Sequence, residues 1–372
     1  MKKVFVNGYG SIGSRITNII KSDPEIEVLG IGKYSPDDKV NEAISNGFSV
    51  YVPKSKESDF KQFDISGDIE TILDDCDLVI DAAPSGHGFK NKVIFYEPKK
   101  LMAIYQGGES ITGENAVSDI LFNSRVNYSD AFEKRHVMQG SCNVTGMGKI
   151  LEPLRRKYGK TLKRFDVTLV RRWADIEQTD KSVVDTIELT QSPHHGEDVK
   201  SYFGKDSPLF VRAIKVPTRQ MHLHIMDIRF DGKAPTSDEI HDLFKNESGV
   251  ALLWTAKGTK DVRDYADTMN YSFKDTNMIH IHANMTVVID DTVQIMYSDD
   301  QTGIVIPENH MLMQAMLFKK SYDDSFSHTE QLFNMKEKKQ LLEEHFSLKY
   351  LVYFFYPDFF RFVVCHFFNN YP

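Results

Sequence analysis

The feature that most constrains this chain is Gly8-x-Gly10-x-x-Gly13, a glycine turn set between an apolar run and a helical one. Val4-Phe5-Val6 ahead of it is β-prone, and Ile12, Ile16, Ile19 and Ile20 behind it recur at helical spacing. Three glycines so placed have three physical jobs: a tight turn, close approach of a pyrophosphate, and close packing of helix on strand. The helix N-terminus at Ser11-Ile12 would face the phosphates with its unbonded N–H groups. The spacing alone is common, and a plain structural turn is the competing reading. Its place between strand and helix, within a dozen residues of the first, favours dinucleotide binding.

The next 130 residues continue in the same alternation. Ile26–Ile31 reads as a strand, Ile69–Leu73 as helical, Asp77–Asp81 as a buried strand, Phe89–Tyr96 as helical and Leu101–Tyr105 as a strand. That rhythm predicts an α/β fold with an N-terminal Rossmann domain, a doubly wound parallel sheet. After Cys142 the pattern changes to β-rich runs at Phe165–Arg172, Leu209–Val216, His222–Phe230, Val250–Leu253 and Met278–Met296. Charged helical stretches near Ser237–Phe244 and Asp261–Met269 interrupt them, which predicts an α+β catalytic domain with a mostly antiparallel sheet. Pro307–Phe318 reads as a helix returning to the first domain. The expected division is 1–140 with 302–340 as the NAD(P)-binding domain, 141–301 as the catalytic domain, and 341–372 as an atypical aromatic-rich tail. A length of 372 residues suits two such domains.

Composition excludes several classes. With 41% hydrophobic and 26% charged residues the chain can bury a sizeable core. A net charge of −8 argues against a general affinity for nucleic acid. Cys76, Cys142 and Cys365 are far apart and form no CxxC, so a disulfide framework and a zinc site are poor readings; no metal is expected, and a reduced, cytoplasmic compartment fits. The opening MKKVFVNGYG resembles a secretory leader only in its two lysines. The tail from Leu348 is rich in Phe and Tyr, but Lys349, Pro357, Asp358 and Arg361 break it, so no membrane partner is expected. An interface segment and a poorly ordered extension are the remaining readings of that tail.

Several residues carry candidate chemistry. An acid for the ribose hydroxyls is expected about 20 residues beyond a Rossmann glycine turn. Lys33 stands there instead, which favours NADP through its 2′-phosphate with NAD tolerated; a solvent-facing lysine is the plain alternative. Cys142 lies ahead of a helix expected at Met147–Arg156, and a helix N-terminus favours the thiolate. Beside a dinucleotide domain, such a thiolate suits attack on an aldehyde and oxidation through a thioester. Asn143 and nearby backbone N–H groups could stabilise the oxyanion. A small buried cysteine is the bland reading, and it is the one given to Cys76. In Gln220–His224 the two histidines alternate on one strand face, as a metal pair without a visible third ligand or as a general base for Cys142. Arg171-Arg172 and the loop at Ser192-Pro193-His194-His195-Gly196 suit an anion.

Taken in order, these segments resemble the archaeal (type II) phosphorylating glyceraldehyde-3-phosphate dehydrogenases. The resemblance runs from Val4 to about Met335. It rests on NGYGSIG at Asn7–Gly13, GKYSPD at Gly32–Asp37, YQGGE at Tyr105–Glu109, FNSRVNY at Phe122–Tyr128 and SCNVTG at Ser141–Gly146. RRWAD at Arg171–Asp175, SPHHGED at Ser192–Asp198, VPTRQMHLH at Val216–His224 and DQTGIVIPE at Asp300–Glu308 continue it. The resemblance implies oxidation of glyceraldehyde 3-phosphate, with inorganic phosphate and NADP or NAD, to 1,3-bisphosphoglycerate, the reverse reaction serving gluconeogenesis. It implies Cys142 as nucleophile and His222 as catalytic histidine. It places cofactor contacts at Ser11, Ile12, Lys33, Gly108, Arg172 and Gln301, beside Gly8, Gly10 and Gly13 of the glycine turn itself. It places substrate contacts at Ser141, Asn143, His195 and Gly196, with Thr145, Arg171 and His194 able to join the phosphate sites. It also implies a homotetramer, with the C-terminal helix packed back on the Rossmann domain. The chain departs from the family at Trp173, Val144 and Asp299-Asp300.

Two rival functions share parts of this pattern. A semialdehyde dehydrogenase of similar plan would use the same thioester chemistry. A non-catalytic dinucleotide-binding regulator would keep the fold, but has no physical need for Cys142 with His222.

Overall fold

A computed structural model describes residues 1–174, 185–191, 193–219 and 221–347. Asp175, Ser192, Gln220 and the aromatic segment from residue 348 lie outside the described residues.

The first sheet comprises β1 (Lys2–Asn7), β2 (Ile26–Gly32), β3 (Val50–Val52), β4 (Gly67–Asp68), β5 (Leu78–Asp81), β6 (Met102–Tyr105), β7 (Leu121–Phe122) and β8 (His136–Gln139). Their order is β4-β3-β2-β1-β5-β6-β8-β7, and every pairing is parallel. The central strands are buried apolar runs (Val4-Phe5-Val6, Leu78-Val79-Ile80), as a sheet covered on both faces requires. From β1 the chain winds outward through β2, then restarts at β5 on the other side. That reversal leaves a crevice beyond the carboxyl ends of β1 and β5, where open α/β sheets take ligands. The glycine turn closes β1 there and opens the Ser11–Ile20 helix.

The second sheet comprises β9 (Leu162–Arg172), β10 (Glu188–Thr190), β11 (Leu209–Val216), β12 (His222–Phe230), β13 (Val250–Leu253), β14 (Ile279–His282), β15 (Val287–Ile289) and β16 (Thr292–Asp299). The order is β10-β11-β9-β12-β16-β14-β13, with β15 on β16. It is mixed: β9–β11 and β13–β14 run parallel, the other pairs antiparallel. The single run expected at Met278–Met296 is three strands. A 3-10 turn at Ala283–Met285 and a reversal at Asp290, with φ 51°, divide it.

The Cys142 helix (Cys142–Tyr158) begins five residues before the expected Met147 and packs against β9 and β16. Its residues from Asn143 to Leu154 are all buried. Its Lys149 ammonium lies 2.6 Å from the buried Glu308 carboxylate, which also accepts from the Ser124 N–H and hydroxyl. That pair ties the Cys142 helix to the returning Val305–Met313 helix, which packs on the Ser11–Ile20 helix. His310, on the returning helix, bonds Asp23 Oδ2 at 2.8 Å, and its other ring nitrogen meets Thr329 on the Tyr322–Leu332 helix. The last helix, Met335–His345, spans residue 340 and leans on β13. Leu342 and the following Phe346 bury against Ala251, Leu253, Val262 and Met278. Among the described residues no helix is long and apolar enough to cross a membrane.

Candidate active site

The three glycines divide their work as their spacing suggests. Gly8 sits at φ +122°, and a Cβ there would come 2.6 Å from the Ala82 carbonyl oxygen. A Cβ on Gly13 would come 2.0 Å from the Gly8 carbonyl oxygen, so helix and turn touch there. A Cβ on Gly10 meets nothing within 4 Å. Gly10 therefore opens onto free space at the start of a helix that has no side-chain N-cap. This is the room a pyrophosphate needs, and the residues present fit a dinucleotide. A cleft of about 470 Å³ runs from Gly8, Ser11 and Ile12 past Lys33. Its far wall, Ala82–Pro84 with Gln106 and Gly107, was not foreseen; these residues follow the carboxyl ends of β5 and β6, the signal that could have found them.

Lys33 is buried, with Nζ 2.6 Å from the half-exposed Asp37 carboxylate. The cation is therefore not a solvent-facing lysine, and it carries its own counter-charge. Gly108, at φ +116°, lies off this cleft and lines a neighbouring one of about 610 Å³ shared with His194. Gly107 joins the two regions: a Cβ on it would come 2.6 Å from Ser141 Cα.

Ser141 is the N-cap of the Cys142 helix, and Cys142 is its first residue. β8 delivers it there through Gly140. The first turn holds no acidic side chain, and Arg155, Arg156 and Lys157 close the last turn. Such an N-terminus favours the thiolate of a cysteine placed on it. The half-buried Arg171 guanidinium lies close enough for its charge and that of Cys142 to interact. Cys76 is the opposite case: burial pushes its thiol up to about 12, and Sγ lies 3.0 Å from the Leu78 carbonyl.

On β12, His222 and His224 alternate onto the inner face, with rings nearly parallel and centroids 6.3 Å apart. The His222 Nδ1 accepts the Arg172 backbone N–H at 3.2 Å, so the neutral ring carries its proton on Nε2. Burial, with the Arg172 cation and the neighbouring charges, holds its pKa well below the usual histidine value. The expected general base is thus neutral at pH 7. At rest it is a donor at Nε2, and taking a proton at Nδ1 requires release of Arg172. Burial also holds His224 and His195 at about 3.

Asn143 is the hub between these groups. Its Oδ1 lies 2.9 Å from His224 Nε2, and its Nδ2 lies 3.8 Å from Cys142 Sγ and 3.5 Å from His195 Nε2. His195 and Gly196 form the buried first turn of the His195–Phe203 helix. His194 is exposed, stacked on His195 at 4.3 Å and 3.5 Å from Asp198. The structure therefore gathers Cys142, Asn143, Arg171, Arg172, His195, His222 and His224.

Other expected residues sit further back. Thr145 is fully buried, its hydroxyl 3.3 Å from the Gly140 carbonyl and 3.1 Å from Gln139 Nε2, with no surface to offer a phosphate. Gln301 is buried and donates to the Arg219 carbonyl at 3.2 Å. The Val144 side chain turns into the core, while Trp173 lies under the Arg219 guanidinium at 5.7 Å. Asp300 belongs to a buried ionic knot that sequence reasoning missed. Arg15 meets Asp275 at 2.7 Å, and Arg263 meets Asp275 at 3.2 Å and Asp300 at 2.8 Å, linking the glycine-turn helix to the segments around Arg263 and Asp300.

No family model matches the chain. Among curated relatives, it is 32% identical over 327 residues to the glyceraldehyde-3-phosphate dehydrogenase of Methanothermus fervidus, covering 85% of this chain and 94% of that one. It is 34% identical over 280 residues to the protein of that name from Halobacterium salinarum, covering 72% and 80%. The Thermoplasma volcanium protein of that name is 31% identical over 348 residues, 91% of this chain and 99% of its own.

Proposed function

The chain belongs to the archaeal glyceraldehyde-3-phosphate dehydrogenase family, and from that premise we propose that it oxidises glyceraldehyde 3-phosphate, with inorganic phosphate and NADP or NAD, to 1,3-bisphosphoglycerate. The observation that carries this reading is Cys142 as the first residue of a buried helix whose N-cap abuts the dinucleotide cleft at Gly107.

The Cys142 thiolate adds to the aldehyde carbon, forming the S–C bond of a hemithioacetal. His222 Nε2–H and Asn143 Nδ2–H are the donors for the oxyanion. When bound, a nicotinamide dinucleotide in the glycine-turn cleft would supply the oxidant, as acceptor of the hydride lost from the substrate carbon. Hydride is lost from the hemithioacetal alkoxide, so the thioester forms with no proton to be taken, and His222 stays neutral with its Nε2–H directed at the oxygen. An oxygen of inorganic phosphate then attacks the thioester carbonyl, the C–S bond breaks, and Cys142 leaves as thiolate. Arg171 and the first turn of the His195–Phe203 helix supply the positive field for the two anionic groups, while His195, held neutral by burial, adds no charge.

Lys33 supports NADP binding, and its pairing with Asp37 supports use of NAD as well. The outer face of the second sheet supports a homotetramer. There Leu189, Ile214, Val170 and Leu223 are register partners across β10, β11, β9 and β12, an apolar row that a further copy could cover. A reaction that runs on a free thiolate suits the reducing cytoplasm.

The test is absorbance at 340 nm with glyceraldehyde 3-phosphate, phosphate and NADP, then NAD, beside a Cys142→Ser control. Phosphate-dependent reduction that vanishes in the control is expected. No signal with either cofactor, from folded protein, sinks the assigned substrate and returns the semialdehyde reading.

A further inference from the structure

Three polar side chains behind the nucleophile form a chain whose hydrogen-bond directions can be fixed from one end. His224 is wholly buried on β12, and its Nδ1 has no hydrogen-bond partner among the described residues. A thiolate at Cys142 can only accept, and Asn143 Nδ2 lies 3.8 Å from its Sγ, so the amide keeps its NH₂ on that side and its Oδ1 toward His224. The proton of the neutral ring therefore sits on Nε2, where Asn143 Oδ1 accepts it at 2.9 Å. The same NH₂ lies 3.5 Å from His195 Nε2. His195 Nε2 then acts as an acceptor, which leaves the His195 proton on Nδ1. That atom is buried without a protein partner among the described residues, in the first turn of the His195–Phe203 helix. The opposite amide orientation would put the His224 proton on the orphaned Nδ1 and turn a carbonyl oxygen toward the sulfur. Asp299 lies 3.7 Å from His224 Nε2, beyond hydrogen-bond reach, so Asn143 is the near partner.

We propose that His224 is a positioning residue. Acting through Asn143, it presents an N–H to the Cys142 sulfur and fixes the His195 tautomer. This deepens the proposed function and rests on it for the role of Cys142. His224 is then not a general base, and the histidine pair divides its work, with His222 at the reacting atoms and His224 behind Asn143.

The experiment uses His224→Leu, His224→Gln, Asn143→Ala and the double variant Asn143→Ala/His224→Leu in the full chain. Two readouts are taken: the rate of iodoacetamide labelling at Cys142, which needs neither substrate nor cofactor, and kcat with KM for glyceraldehyde 3-phosphate. His224→Leu is expected to slow labelling about tenfold and lower kcat to match, with a rise in KM. His224→Gln, whose amide can still donate, is expected to stay within about threefold of the parent in both. On the Asn143→Ala background, His224→Leu is expected to change nothing further. Unchanged labelling and turnover in folded His224→Leu, losses that multiply in the double variant, or equal losses in His224→Gln overturn the relay. Should His224→Leu fail to fold, Asn143→Asp asks the question from the other end: it still accepts from His224 but has no N–H for the sulfur, and unchanged labelling there overturns the relay. If labelling follows the expected pattern while no variant or parent reduces either cofactor, the substrate assignment fails and the relay stands.

Discussion

At the scale of single residues, the glycines of one turn differ in what they tolerate. Gly10→Ala adds a methyl group to open space, so the apoprotein is expected to melt like the parent. The same methyl intrudes where the pyrophosphate must lie, and dinucleotide affinity by titration is expected to fall at least about tenfold, roughly 1.4 kcal/mol. Gly13→Ala is the reverse case. Its Cβ would collide with backbone, and overpacking of roughly 1–3 kcal/mol is expected in urea unfolding. Equal behaviour of the two variants in both measurements would contradict this division. Lys33 and Asp37 form a second residue-scale pair, at 2.6 Å. Asp37→Asn removes the counter-charge and is expected to lower KM for NADP relative to NAD. Lys33→Ala is expected to move the ratio the other way, in steady-state kinetics with each cofactor.

At the scale of elements, the site depends on how the Cys142 helix is held. Its Lys149 is paired in the interior with Glu308 of the returning helix. Removing one partner of such a pair leaves a buried charge alone, at a cost of about 3–5 kcal/mol. Lys149→Met is therefore expected to lower the urea midpoint strongly, and Lys149→Met/Glu308→Leu to recover much of the loss. A double variant no better than the single would show that the pair matters for more than its charges. β12 makes a related point about what periodicity reads. The span His222–Phe230 and its alternation are plain in the sequence, and the structure keeps both. Strands of two or three residues such as β3, β4 and β7 give no period to detect, and they go unforeseen. The early start of the Cys142 helix had the same cause, since the Cys142-Asn143-Val144-Thr145-Gly146 segment carries no apolar stripe of its own.

At the scale of the whole molecule, the buried histidines set an acid limit on stability. Burial holds His195, His224 and His280 near 3 in the folded protein, against about 6.5 when exposed. Below pH 6.5 the unfolded chain binds these protons and the folded protein does not. Stability is therefore lost as pH falls, by about 1.4 kcal/mol per pH unit for each histidine inside that window. Asp275 and Asp299, whose carboxyls are raised by burial, work in the opposite sense and reduce the slope. The melting temperature is expected to be level between pH 7 and 8 and to fall below about pH 6; a profile level to pH 4 would contradict it. The proposed assembly has its own test: Ile214→Glu, in the outer row of the second sheet, is expected to reduce the mass measured by light scattering.

The sequence by itself determined the class of sheet, the glycine turn between strand and helix, the cysteine ahead of a helix and the histidine strand. Each is a local pattern, in which neighbours along the chain are neighbours in space. The tertiary structure alone decided the far wall of the cleft, the hub at Asn143, the buried position of Thr145 and the knot joining Arg15 to Asp275, 260 residues apart. Those depend on which side chains meet when two sheets close on one helix. A polar residue in a sequence carries no mark of the partner it will find, because only burial makes that partner necessary.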